Sequence, residues 1–90
     1  MGFDSKCYND KFESLEEFID NLNRGGEIEF VFEGNNYSIT HAMGKLLYME
    51  VGDDSSEKFF ENNNELLNFI INGKKISDIV TVIQPTFRSF

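Results

Sequence analysis

The chain has one cysteine, one histidine and one proline, and half as many basic residues as acidic ones, 8 against 16. Each scarcity excludes something. Cys7 has no second thiol to pair with, so no internal disulfide forms and nothing points to an oxidising compartment. It lies among polar residues with no evident activating base, which argues against a nucleophilic role. His41 stands alone, without the clustered ligands of a zinc site or the placed nucleophile of a triad, and reads as a turn or core-edge residue. A net charge of −8 opposes binding to nucleic acid or to an anionic membrane, both of which need a basic surface. No apolar run approaches the ~20 residues of a membrane span. No basic segment leads into an apolar one at the N-terminus, so no secretory signal is expected, and a cytoplasmic location is. Met1-Gly2 is not a myristoylation signal, because Lys6 stands where Ser or Thr is needed. Asn36-Tyr37-Ser38 is a formal glycosylation sequon, without meaning in a cytosolic chain.

What is present suffices for one small core. Ninety residues make a single domain, and 40% apolar residues with ten phenylalanines can fill it without staples. The expected organisation is a lead-in over residues 1–11, one α+β domain over 12–84 and a tail over 85–90. The charge is uneven. Residues 1–40 hold nine acids and three bases, and residues 41–90 hold seven acids and five bases. Solubility alone accounts for such a charge and is the favoured reading, while the charge permits a basic protein partner.

The clearest stretch begins at Ser14-Leu15-Glu16-Glu17, a capping-box pattern. Leu15, Phe18, Ile19 and Leu22 then fall on one face of a helix, with Phe12 placed to pack back on it and Asp20 and Arg24 one turn apart. Gly25-Gly26 ends the helix. Residues 27–33 alternate as a strand, with Ile28, Phe30 and Phe32 on one side and Glu27, Glu29, Val31 and Glu33 on the other. Gly34-Asn35-Asn36 predicts a hairpin turn. A second strand follows over 37–41, with Tyr37, Ile39 and His41 towards the core. A turn at Ala42-Met43-Gly44 leads into a third strand over 45–51. That strand is apolar on both faces: Leu46 and Tyr48 on one, Leu47, Met49 and Val51 on the other. Its second face must meet either the C-terminal part of the chain or a partner. Residues 52–56 read as a loop, and 57–62 as either a short strand or a helical lead-in. Asn64 is a candidate N-cap for a second helix bearing Leu66, Leu67, Ile70 and Ile71, stopped by Asn72-Gly73. Ile76, Ile79, Val80 and Ile83 have helical spacing but β-branched side chains; alternation fails at Ile79-Val80, which favours a third short helix. Pro85 ends that element. The expected fold is therefore a three-stranded antiparallel meander, preceded by one helix and followed by one or two short ones.

No constellation here carries chemistry. Asp53, Asp54, Glu57 and Glu61 lack the ligand spacing and central glycine of a calcium loop. Glu13, Glu16 and Glu17 sit where negative charge offsets a helix dipole. Gly73-Lys74-Lys75 is not a phosphate-binding loop, because no glycine precedes it at the required spacing. No catalytic residue, metal or cofactor is expected.

The pattern resembles small uncharacterised αβββα proteins of low-GC Gram-positive bacteria and of their phages and mobile elements. The resemblance rests on Ser14-Leu15-Glu16-Glu17-Phe18, Gly26-Glu27-Ile28-Glu29-Phe30, Tyr37-Ser38-Ile39-Thr40 and Asn72-Gly73-Lys74-Lys75-Ile76 with Asp78-Ile79, and it covers residues 12–83. It implies a fold and a genomic habitat and transfers no catalytic residue. Some small acidic proteins of that habitat are anti-CRISPR or other anti-defence inhibitors. By that analogy the chain is expected to be a non-catalytic protein-interaction module. Glu16, Asp20, Glu27, Glu29 and Glu33 would then present an acidic surface to the basic nucleic-acid groove of a target enzyme. The alternative is a homodimeric or hydrophobic-docking adaptor that uses Leu47, Met49, Val51, Phe87 and Phe90.

Overall fold

The computed structural model describes residues 11–88. Cys7, Phe90 and nearly all of the expected lead-in lie outside the described residues. The first helix, α1 (Leu15–Asn23), begins as its sequence dictates. Ser14 Oγ accepts from the Glu17 amide at 3.1 Å. The Glu17 carboxylate reaches back to the amide of Glu13 at 2.7 Å, one residue before the cap. Phe12 is buried and meets Phe18 edge-on at 5.1 Å, closing the helix start as an apolar staple. Asp20 and Arg24 pair at 3.0 Å on the exposed side.

Four strands follow: β1 (Ile28–Phe32), β2 (Asn35–Ala42), β3 (Lys45–Glu50) and β4 (Asp53–Phe60). Then come α2 (Asn63–Leu67), a two-stranded ribbon of β5 (Ile70–Ile71) and β6 (Lys74–Lys75), α3 (Ile76–Ile79) and β7 (Gln84–Arg88). The main sheet is antiparallel, with strand order β4-β3-β2-β1-β7. The expected α+β class is present, but the three-stranded meander is corrected to five strands. Two segments make the difference. Residues 53–60, expected as a loop with an ambiguous end, pair with β3 through Leu46 with Phe60, Leu47 with Phe59 and Tyr48 with Lys58. Gln84–Arg88, expected as the domain end and tail, pairs with β1, with Phe30 opposite Pro85 and Glu29 opposite Phe87. Proline is tolerated there because, among the described residues, β7 is an edge.

The turns also differ in detail. The β1–β2 connection is Glu33-Gly34 rather than Gly34-Asn35-Asn36, and β2–β3 is Met43-Gly44. Both residues of each turn have positive φ, +52° and +86° in the first, +54° and +77° in the second. That is the backbone of a type I′ hairpin, whose twist matches the strands it joins; glycine takes the second position without cost, while Glu33 and Met43 are forced into the left-handed region. Asn72-Gly73 does not stop a helix. It is the same two-residue turn, joining β5 to β6. The second helix starts earlier than expected, capped by Asn62 Oδ1 on the Glu65 amide at 2.9 Å rather than by Asn64. Here too the Glu65 carboxylate reaches back one residue before the cap, to the Glu61 amide at 2.9 Å. The third helix is one turn only, so Val80 and Ile83 are buried from the irregular segment that follows it.

The core lies on one face of the sheet. Ile28, Phe30 and Phe32, Tyr37 and Ile39, and Leu46 and Tyr48 form a single cluster with Phe18 and Leu22 of α1 and with Leu66, Leu67, Ile71, Ile76, Ile79, Val80 and Ile83. A chain of rings crosses it. Phe30 stacks on Tyr37 at 5.4 Å, Tyr37 on Tyr48 at 6.0 Å, Tyr48 meets Phe69 at 4.9 Å, and Phe69 meets Phe60 at 5.3 Å. These are the offset and tilted geometries that aromatic quadrupoles favour. Arg88 closes the other end. It is only 8% exposed, its guanidinium lies 3.9 Å over the Phe12 ring, and Nη2 is 3.5 Å from Glu17 Oε2. The last strand is thus tied to the start of the first helix.

Tyr48 gives this core a pH limit. Burial, reinforced by Tyr37 and Glu50, raises its phenol from 10.0 to about 12. The folded state holds the neutral phenol more firmly than the unfolded chain does. Stability is therefore independent of this group below pH 10.0 and falls as the pH rises towards 12. Urea midpoints measured across that interval should drop for the native chain, and the part of the drop due to this phenol should vanish in Tyr48→Phe.

Candidate functional site

The structure separates the five acidic residues singled out from the sequence. Glu16 and Asp20 are exposed on the outer side of α1. Glu29 projects from the opposite face of the sheet, beside Ser38 and Phe87 in the strand register. The two groups therefore have the sheet and its core between them. Glu27 is exposed in the loop entering β1, and Glu33 sits in the β1–β2 turn with its carboxylate 3.8 Å from Lys74 Nζ. Asp20 is engaged by Arg24. One continuous acidic surface containing all five does not exist.

What the fold does assemble is an open sheet face. All three helices contribute to the core on the other side, so among the described residues no element covers this one. Register fixes its rows. Glu29, Ser38 and Met49 lie side by side across β1, β2 and β3, and Thr40, Leu47 and Phe59 across β2, β3 and β4. Leu47 and Met49 are half-buried by their neighbours, while Phe59 is 44% and Val51 51% exposed. The sequence isolates Leu47 and Met49 as a second apolar face of β3, while Val51, expected on the same strand, falls in the turn between β3 and β4. It missed Phe59, Ser38 and Thr40. Phe59-Phe60 was a signal for one inward and one outward ring on a strand, but the polar run before it hid the strand.

His41 lies opposite Leu46 at the end of the sheet and is exposed, and its Nε2 is 3.1 Å from the Gly26 carbonyl oxygen. A carbonyl only accepts, so this nitrogen carries the hydrogen and donates it. The contact ties the end of β2 to the loop before β1. Asp53, Ser55, Ser56 and Glu50 satisfy one another around the β3–β4 turn: Ser56 Oγ accepts from the Glu50 amide at 2.8 Å and donates to the Asp53 carbonyl at 2.6 Å. That arrangement folds the turn. Among the described residues no group of three or more His, Cys, Asp or Glu side chains could hold a metal ion. No helix among them is long and apolar enough to cross a membrane.

The described residues define a two-layer α+β fold with helices on one side of a five-stranded sheet and, among these residues, no element on the other. No protein-family model matches the chain, and no curated protein and no solved structure matches it.

Proposed function

We propose that this protein is a non-catalytic interaction module that binds a basic protein through the open face of its sheet. The observation that carries the reading is the row structure of that face, where Leu47, Met49 and Phe59 form an apolar area at the β3–β4 side, with exposed Val51 in the adjoining turn. Apolar surface gathered on one face of a small domain is the usual anatomy of a docking site. Charge selects the occupant. Glu29 lies within the face, exposed Asp53, Asp54 and Glu57 lie on β4 at its margin, and the chain carries −8 overall. Two copies would bring like charges together, whereas a partner with an apolar centre and a basic rim is complementary. The same charge supports a cytoplasmic inhibitor of the anti-defence type, occupying a basic groove of a nucleic-acid enzyme. In that case Glu29 and the β4 acids, rather than Glu16 and Asp20, face the groove.

The test uses three baits in a Gram-positive bacterial lysate: the native chain, Leu47→Glu/Met49→Glu, and Glu16→Lys/Asp20→Lys, each first shown to be folded by circular dichroism. A partner held by the native and helix-variant baits and lost by the sheet-face variant is the expected result. Loss with the helix variant instead would return the site to α1 and reject the sheet-face reading. Sedimentation of the native chain should show a monomer, and a stable dimer abolished by the sheet-face variant would make a second copy the occupant.

A further inference from the structure

The two edges of the sheet are not equivalent. The β7 edge is short, its pairing with β1 shifts between Glu29 and Phe30, and it contains Pro85, which has no N–H to offer. The β4 edge spans eight residues without proline, and among the described residues no strand lies beyond it. Its first half is irregular: the register shifts between Tyr48 and Glu50, where Ser56 bonds back across the turn. Residues 57–60 are different. Lys58, Phe59 and Phe60 pair in regular order with Tyr48, Leu47 and Leu46, so the outer side of this stretch presents a straight, unpaired ladder of backbone donors and acceptors.

An unpaired edge invites any extended chain, including another copy of itself, and its side chains decide which is admitted. Phe59 lies opposite Leu47 and projects to the open face, and Glu57, exposed, precedes it by two residues on the same strand where the regular ladder begins. Asp53 and Asp54 add two further exposed carboxylates at the start of the same strand. A second β4 laid alongside would set these carboxylates against their own kind, and like charges opposite one another on a sheet are destabilising. A strand carrying a basic residue and an apolar residue two positions apart would instead place the cation by Glu57 and cover Phe59.

We infer that residues 57–60 of β4 accept an extended basic-apolar segment of the partner as a sixth strand, continuous with the open face. This rests on the interaction-module reading and names how the partner enters the site. Main-chain hydrogen bonds supply the affinity of such strand addition, and the alternate side chains supply its choice of sequence.

The probe is a synthetic peptide of about eight residues in which lysine and valine alternate at every second position with threonine between them. Amide exchange should show new protection within residues 57–60 and none in β7. Binding should weaken at least about tenfold in Glu57→Lys, at higher salt, and when glutamate replaces lysine in the peptide. Glu57 is exposed, so the variant keeps the fold. Protection at β7, equal binding of the glutamate peptide, or no binding at all would overturn the inference. If lysate capture still depends on Leu47 and Met49 while the peptide fails, the edge is rejected and the sheet face stands. If both fail, both readings fall.

Discussion

Removing residues 84–90 is expected to leave an unfolded chain. Read as a tail, this segment would be dispensable, and its loss would change stability by a few tenths of a kcal/mol. In the structure it is the fifth strand. Its removal strips the ladder from β1, which then becomes an edge bearing Ile28, Phe30 and Phe32, and it takes buried Pro85 and Arg88 with it. Each ladder hydrogen bond lost costs about 0.5–1.5 kcal/mol, and the loss of buried side chains and the exposure of the core beneath them add to it. A domain of this size holds only about 5–13 kcal/mol in total. Circular dichroism and amide exchange of the truncated chain should show loss of the cooperative transition. Arg88→Ala isolates one part of the effect. It removes the cation over Phe12 and leaves Glu17 without its Arg88 contact, and about 2–3 kcal/mol is expected, because Glu17 retains some access to water. An intact, equally stable truncated protein would show that the strand is not part of the core.

The second large effect is expected from Phe30→Ala, about 3–5 kcal/mol in urea denaturation. Phe30 is 1% exposed on the central strand pair and starts the chain of rings through Tyr37 and Tyr48 to Phe69. Its neighbours come from different elements and cannot all collapse into the vacated space, so the cavity term persists. Phe59→Ala is the control. Phe59 is outside the core cluster and 44% exposed, so its truncation should cost under about 1 kcal/mol while weakening any partner bound at the open face. A loss at Phe59 as large as that at Phe30 would mean that the face is covered and not a binding surface.

The two residues also show how the sequence can be read and where it misleads. Phe30 lies in a stretch where period, cap and turn chemistry agree: a capped helix, a glycine stop, then strict alternation from Ile28 to Phe32. Local rules suffice there because each residue's neighbours in space are close in the chain. Phe59 follows Asp53-Asp54-Ser55-Ser56, residues of low strand propensity that read as a loop. They become a strand because β3 offers an unpaired edge on which their backbones can bond, and an exposed edge strand needs few apolar side chains. Pro85 misled in the same way. Proline stops a helix or a central strand, but it does not stop an edge strand arriving from the far end of the chain.

The candidate site divides along the same line. The acidity and the apolar second face of β3 were visible, because composition and period-two alternation are properties of the chain itself. Glu16, Asp20, Glu27, Glu29 and Glu33 are close in sequence, but the sheet places Glu16 and Asp20 on one side of the protein and Glu29 on the other.

By itself, then, the sequence determined the α+β class, the first helix with its cap and staple, the alternation of the three central strands and the excess of negative charge. Each follows from residues at most a few positions apart. Only the tertiary structure decided that β4 and β7 extend the sheet to five strands, that all the helices share one face, and that Leu47, Met49 and Phe59 lie open on the other. Those outcomes depend on which edges and faces remain unsatisfied after the local elements have formed, and that is settled by packing between segments far apart in the chain.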